Sequence, residues 1–193
     1  EPGRDAELMV KKLKREFGGG IEVFVGQVAT LEQGVKLEAA GADGLYIGIG
    51  GGGRCITAAR SNSVVDWPNL LWQMRGKVGI PILVEGGASD HIGVSLLLGA
   101  SGIGVSRIAG GGTIESPGGL LYWVGKNGLW FKPYGGEASA RTKYLDGKIL
   151  PVNLPAFVEG ETTKALKSYV PYARPTVAEN MYFLIEDVIL TLV

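Results

Sequence analysis

The sequence predicts an α/β fold built on a parallel sheet, and three observations carry that expectation. Strand candidates and helix candidates alternate four times between residues 5 and 106. The strand candidates are apolar throughout, as expected of strands covered on both faces. Glycine makes up 32 of 193 residues, against an average near 7%, and it gathers where the strand candidates end.

Ala6, Met9, Val10, Leu13 and Phe17 form a helical stripe over residues 5–17, stopped by Gly18-Gly19-Gly20. Ile21 to Val25 reads as a short buried strand. Thr30 with Gln33 three residues on is a capping-box pattern, opening a helix that runs to Gly41. Leu45-Tyr46-Ile47 is the next strand, followed by the glycine run Gly48 to Gly53. Asp66 with Pro68 in the first turn starts a helix to about Arg75. Ile82-Leu83-Val84 is a strand leading into Glu85-Gly86-Gly87. Asp90 is placed to cap a helix to Leu98, and Gly102 to Ser106 reads as a fourth strand.

Beyond residue 115 the pattern changes. Leu120 to Val124 and Leu129 to Phe131 flank Gly125-Lys126-Asn127-Gly128, a hairpin signal built on Asn-Gly. A polar, glycine-containing stretch to about residue 165 reads as a mobile flap, and Ala178 to Val193 as a closing helix. No low-complexity linker interrupts the chain. The expectation is one domain over residues 1–193, with hairpin and flap inserted at 120–165.

Composition narrows the function. Nineteen basic residues balance nineteen acidic ones, so no charge excess points to nucleic acid or an anionic membrane. The apolar run from Met181 to Val193 is interrupted by Glu186 and Asp187 and falls short of the ~20 residues a spanning helix needs. The lone cysteine, Cys55, excludes an internal disulfide framework and fits a reducing, cytoplasmic setting. No Cys/His cluster has metal-ligand spacing.

In parallel α/β folds chemistry collects at the C-terminal ends of strands. Here those ends carry Gly26-Gln27, Gly48 to Cys55, Glu85-Gly86-Gly87 and Ser106-Arg107. Glycine lets backbone N–H groups approach an anion without a Cβ in the way, which suggests a phosphate-bearing ligand. A cysteine in such a loop suits nucleophilic chemistry, since amide dipoles and Arg54 favour the thiolate. A buried structural cysteine is the bland alternative.

The segment Gly48-Ile49-Gly50-Gly51-Gly52-Gly53-Arg54-Cys55-Ile56-Thr57 resembles the cysteine loop GIGPGSxCTT of the IMP dehydrogenase/GMP reductase family. Val25 to Thr30 resembles its AGNVAT, Ala40-Gly41-Ala42-Asp43 its AGAD, and Glu85-Gly86-Gly87 its DGG. Gly111 to Gly118 resembles AGTEESPG, Lys132-Pro133-Tyr134-Gly135-Gly136 resembles KxYRGMGS, and Val158-Glu159-Gly160 the VEG of EGVEG. The blocks occur in family order. The family barrel has eight strand–helix units of TIM type; four are visible here. The resemblance therefore implies the C-terminal half of the catalytic barrel plus a hairpin and flap.

The resemblance implies a purine-nucleotide oxidoreductase of IMP dehydrogenase type, with NAD or NADP as hydride carrier, or in the alternative a GMP reductase. It assigns Cys55 as nucleophile and places Thr57 and Glu115 where GMP reductases act on the leaving or attacking amine. It assigns Arg141 and Tyr144 to activating water, although the family pair is adjacent and two residues separate these. Glu85 stands where an Asp binds the ribose hydroxyls. Gly53, Gly86, Gly87, Ser106, Arg107, Tyr134, Gly135 and Gly136 surround the phosphate, and carbonyls of Gly50, Gly52 and Cys55 match a K+ site. The family's Pro and Ser in the cysteine loop are Gly51 and Gly53 here, and its Gly-Ser pair is Ser106-Arg107.

Blander readings stand beside these. Glu115 is equally a solvated carboxylate, and Arg141 and Tyr144 ordinary surface groups. His91, the only histidine, suits a surface or capping role. Trp67, Trp72, Trp123 and Trp130 suit core or subunit contacts. A non-catalytic half-barrel binding purine nucleoside monophosphates is the rival from another class. Four parallel strands leave two open edges, so a homo-oligomer or a complementary half-barrel is the expected partner.

Overall fold

The computed structural model describes residues 4–51, 55, 57–88, 91–116, 119–124, 128, 130–134, 163–166 and 176–193. Contacts within the chain separate two compact units, Glu1–Gly52 with Asn62–Gly104, and Gly53–Ser61 with Val105–Val193.

The first unit is the predicted parallel sheet. Its strands β1 (Phe24–Val28), β2 (Gly44–Ile47), β3 (Ile82–Val84) and β4 (Gly102–Ile103) lie in the order β1-β2-β3-β4, all parallel, with Leu45 opposite Ile82 and Leu83 opposite Gly102. Parallel neighbours in simple sequence order require a crossover after each strand. Helices α1 (Arg4–Phe17), α2 (Leu31–Ala39), α4 (Trp67–Met74) and α5 (Ile92–Leu98) supply the cover. Leu45, Ile47, Val84, Leu71 and Met74 are fully buried at the sheet–helix layer.

Local chemistry explains most boundaries. Thr30 Oγ1 accepts from the Gln33 N–H at 3.1 Å, while Gln33 Oε1 accepts from the Ala29 N–H at 3.0 Å. The reciprocal cap expected before α2 is present, reaching back one residue further than a standard box. Asp66 Oδ1 likewise accepts from the Asn69 N–H and opens α4 with Pro68 in its first turn.

Several expected boundaries differ, among them Trp123 rather than Leu120 and Tyr134 rather than Phe131 as limits of the hairpin strands. The first strand begins at Phe24 rather than Ile21, because side chains from elsewhere hold the backbone before it. Lys14 Nζ donates to the Ile21 carbonyl at 3.0 Å, and Asp43 Oδ2 accepts from the Val23 N–H at 2.6 Å. The fourth strand stops at Ile103, since the Ser106 carbonyl already accepts from Gly110 N–H and starts the short helix α6 (Arg107–Gly110). His91, exposed, occupies the N-cap of α5 without a side-chain cap bond; Asp90, the expected cap, lies outside the described residues.

The second unit holds α3 (Thr57–Ser61), α6, a three-stranded antiparallel sheet and α7 (Val177–Leu192). The sheet runs β5 (Trp123–Val124), β6 (Trp130–Tyr134), β7 (Thr163–Leu166), with Trp123 opposite Phe131 and Lys132 opposite Ala165. The predicted hairpin is the β5–β6 pair; of its turn, Gly128 is described, at φ +76°. The end of the expected flap is β7; residues 135–162 lie outside the described part. The closing helix starts one residue before the predicted position, capped by Thr176 Oγ1 on the Glu179 N–H. Trp67 packs against the core, whereas Trp72, Trp123 and Trp130 are exposed.

Candidate functional site

In the first unit the ends of β2 and β3 run into two glycine segments that pack backbone to backbone. Gly48 sits at φ +118°, and a Cβ there would lie 2.1 Å from the Glu85 carbonyl oxygen. A Cβ on Gly51 would lie 2.3 Å from the Gly86 carbonyl oxygen, and one on Gly87 2.3 Å from that of Gly51. Contacts below 3 Å to backbone atoms cannot be relieved by a rotamer change, so these positions admit only glycine. The glycines at this rim therefore have a packing cause in addition to any role toward an anion. The Ile49 carbonyl accepts from the Val65 N–H at 3.0 Å and holds the first loop from its other side.

Glu85 projects from the end of β3, where Gln27 Nε2, at the end of β1, donates to its Oε1. A Cβ on Gly104, just past β4, would come 3.0 Å from the Glu85 Cβ. Three strand ends thus surround one carboxylate. The structure brings Gly50, Glu85, Gly86 and Gly87 of the expected set into this rim. Gln27 joins it as part of the Gly26-Gln27 strand end the sequence marked; its contact with Glu85 was not foreseen.

In the second unit Cys55 is half-buried, and its Sγ lies 3.1 Å from Thr57 Oγ1, at the first position of α3. The hydroxyl can donate to a thiolate or accept from the thiol, so it responds to the charge on sulfur. Ser106, exposed, and Arg107, partly buried, form the start of α6.

Glu115 is exposed in the loop after α6, and both its carboxylate oxygens accept from the Val177 N–H, at 3.1 and 3.2 Å. A carboxylate at the first N–H of a 16-residue helix satisfies an orphan donor and meets the positive end of the helix dipole. The same loop is gripped elsewhere. Asn180 Nδ2 donates to the Ala109 carbonyl at 2.7 Å, and the Tyr122 hydroxyl to the Gly112 carbonyl at 2.7 Å. Lys132 Nζ donates to the Thr113 carbonyl at 2.7 Å and to the Ser116 carbonyl and hydroxyl at 3.1 Å each.

Burial pushes the Lys132 ammonium below the usual lysine range, opposed by the negative charge of Glu115. Burial, and then the Glu115 charge, push the Tyr122 phenol above its ordinary value. Lys132 was visible in the sequence only as the first letter of a matching block. Tyr134 contributes its backbone to β6. Gly52, Gly53, Gly135, Gly136, Arg141 and Tyr144 lie outside the described residues.

Parallel strand–helix units with bare, tightly apposed strand tips define a (β/α) barrel-type chain in partial form. Comparison with known proteins identifies which. The family model of the IMP dehydrogenase / GMP reductase domain matches residues 4–184. The chain is 36% identical over 138 residues to the inosine-5'-monophosphate dehydrogenase of Mycobacterium leprae, covering 68% of this chain and 25% of that protein. It is 34% identical over 149 residues to inosine-5'-monophosphate dehydrogenase 1 of Arabidopsis thaliana, covering 74% and 29%. The Schizosaccharomyces pombe enzyme of the same name is 35% identical over 136 residues, covering 68% and 25%. The chain belongs to the IMP dehydrogenase/GMP reductase family, and its matches span roughly a quarter of the length of these relatives.

Proposed function

We propose that the chain is the cysteine-bearing part of an IMP dehydrogenase-type oxidoreductase, oxidising IMP to XMP with NAD or NADP as hydride acceptor. The observation that carries this reading is the Cys55–Thr57 pair, a half-buried sulfur 3.1 Å from a hydroxyl, in a chain of this family.

The chemistry follows from the thiolate as nucleophile. Cys55 Sγ adds to C2 of the purine and forms a C–S bond; the hydrogen on C2 then leaves with its electron pair. NAD, when bound, would supply the acceptor for that hydride. Water then attacks C2, the C–S bond breaks, and the thiolate returns. Thr57 holds the sulfur through its hydroxyl. By family resemblance Arg141 and Tyr144 of the flap segment take the proton from the attacking water, and Glu115 acts with Thr57 on the group exchanged at C2.

Glu85 accepts from the ribose hydroxyls, oriented by the Gln27 amide. Gly53, Gly86, Gly87, Ser106, Arg107, Tyr134, Gly135 and Gly136 receive the phosphate of a purine nucleoside monophosphate. Neutral carbonyls of Gly50, Gly52 and Cys55 are the donor type for K+. Among the described residues the flanking strands β1 and β4 of the first unit each have one sheet neighbour, which favours a homo-oligomer or a complementary half-barrel as partner. The single cysteine favours the cytoplasm, and among the described residues no helix is long and apolar enough to cross a membrane.

The test is hydride transfer in both directions, on the parent chain and Cys55→Ala. IMP with NAD should give NADH in the parent, and Cys55→Ala should lose at least ~10³-fold in turnover while still binding IMP. NADPH consumption with GMP and none with IMP would assign the chain to GMP reduction instead. Nucleotide binding with no turnover either way would leave a non-catalytic half-barrel.

A further inference from the structure

Lys132 lies within β6 and is 1% exposed, the largest of the fully buried side chains among the described residues. A buried ammonium is costly to desolvate, and a methionine would fill similar space without that cost. What the ammonium does instead is bind oxygen atoms on both sides of Glu115. It takes the carbonyl of Thr113, two residues before, and the carbonyl and hydroxyl of Ser116, one residue after. The Ser116 hydroxyl also donates to the Thr113 carbonyl at 2.6 Å, which closes the turn beneath the cation. Tyr122 covers it, with its ring centre 4.9 Å from Nζ and its hydroxyl on the Gly112 carbonyl. The turn that carries Glu115 is thus wound around one positive charge from the neighbouring sheet.

We propose that Lys132 is the positioning residue for Glu115, fixing through the Thr113 and Ser116 carbonyls the turn from which that carboxylate acts; this rests on the role given to Glu115 above. Lys132 is buried against the turn and the Tyr122 ring and has no surface for a substrate, so its removal should lower turnover and spare substrate affinity. An arginine keeps the charge and the donors and should recover part of the loss.

The experiment compares the parent chain, Lys132→Met and Lys132→Arg by amide hydrogen exchange and by steady-state kinetics with IMP and NAD. In Lys132→Met, amides of residues 113–116 should exchange at least tenfold faster while those of β5 and of α7 beyond its first turn keep the parent rate. Turnover should fall at least tenfold with KM for IMP within threefold, and Lys132→Arg should regain most of both. Unchanged exchange at 113–116 would overturn the proposal. So would acceleration spread over the whole second unit, or equal damage in both variants, since these mark a merely structural lysine. If Lys132→Met does not fold, Lys132→Arg decides through the same exchange measurement, parent-like protection at 113–116 supporting the proposal and its loss overturning it. A parent that makes no NADH from IMP defeats the proposed reaction, while the exchange result still decides whether Lys132 fixes the turn.

Discussion

At the scale of single residues, glycines and one lysine do the unusual work. Gly48 combines a left-handed φ of +118° with a carbonyl oxygen 2.1 Å from where a Cβ would stand. Alanine there is strained by its backbone and by its neighbour at once. Gly48→Ala should therefore lower unfolding stability by about 2 kcal/mol or more, read from the urea midpoint. A loss within ~0.5 kcal/mol, ordinary for a surface site, would mean the two loops are not apposed as described. The sequence marked the glycine run but suggested anion binding as its cause; the close approach of two carbonyl-bearing loops depends on which strands are neighbours. Lys132 was similarly opaque, because nothing in a lysine between Phe131 and Pro133 says that it points inward onto a turn sixteen residues away.

At the scale of elements, side chains placed between helix and strand set the boundaries that periodicity missed. Asp43, just before β2, accepts from the Val23 N–H and is paired with Lys14 of α1 at 2.5 Å. The hydrogen bond from Lys14, followed by that from Val23 N–H, holds the Asp43 carboxyl below its ordinary value. Its unfolded-state pKa is then the higher one. The stabilisation is fully present above that ordinary value and disappears as pH falls through the lower folded one. Asp43→Asn should be less stable than the parent at neutral pH, with the difference shrinking toward zero in acid. Urea unfolding of both proteins across the acid range checks this; a difference that stays constant with pH would contradict it. The longer helices were the most legible elements, because Thr30 and Asp66 cap with their own side chains and the signal is local; the short α3 and α6 gave no such signal. Strand ends were less so: β1 starts late and β4 stops early for reasons that lie in Lys14, Asp43 and Ser106, remote or structural partners that no periodicity reports.

At the scale of the molecule, the parallel order β1-β2-β3-β4 is what four apolar strands separated by helices require, and it was readable for that reason. The antiparallel β5–β6 pair was announced by Asn127-Gly128 between apolar runs, whereas β7, from Thr163 to Leu166, carried no comparable turn signal. Of the candidate site, the residue types Cys55, Thr57, Glu85 and Glu115 stood out in the sequence, whereas the contact of Gln27 with Glu85 and the grip of Lys132 on the turn around Glu115 depend on packing that no local pattern reports. The proposed reaction depends on Cys55 forming a bond to the purine. Incubating the chain with IMP and NAD and mapping peptides by mass tests that most directly. A purine-nucleotide adduct on the Cys55 peptide, formed together with NADH and absent from Cys55→Ala, is the predicted result; bound IMP with an unmodified Cys55 and no NADH would contradict it.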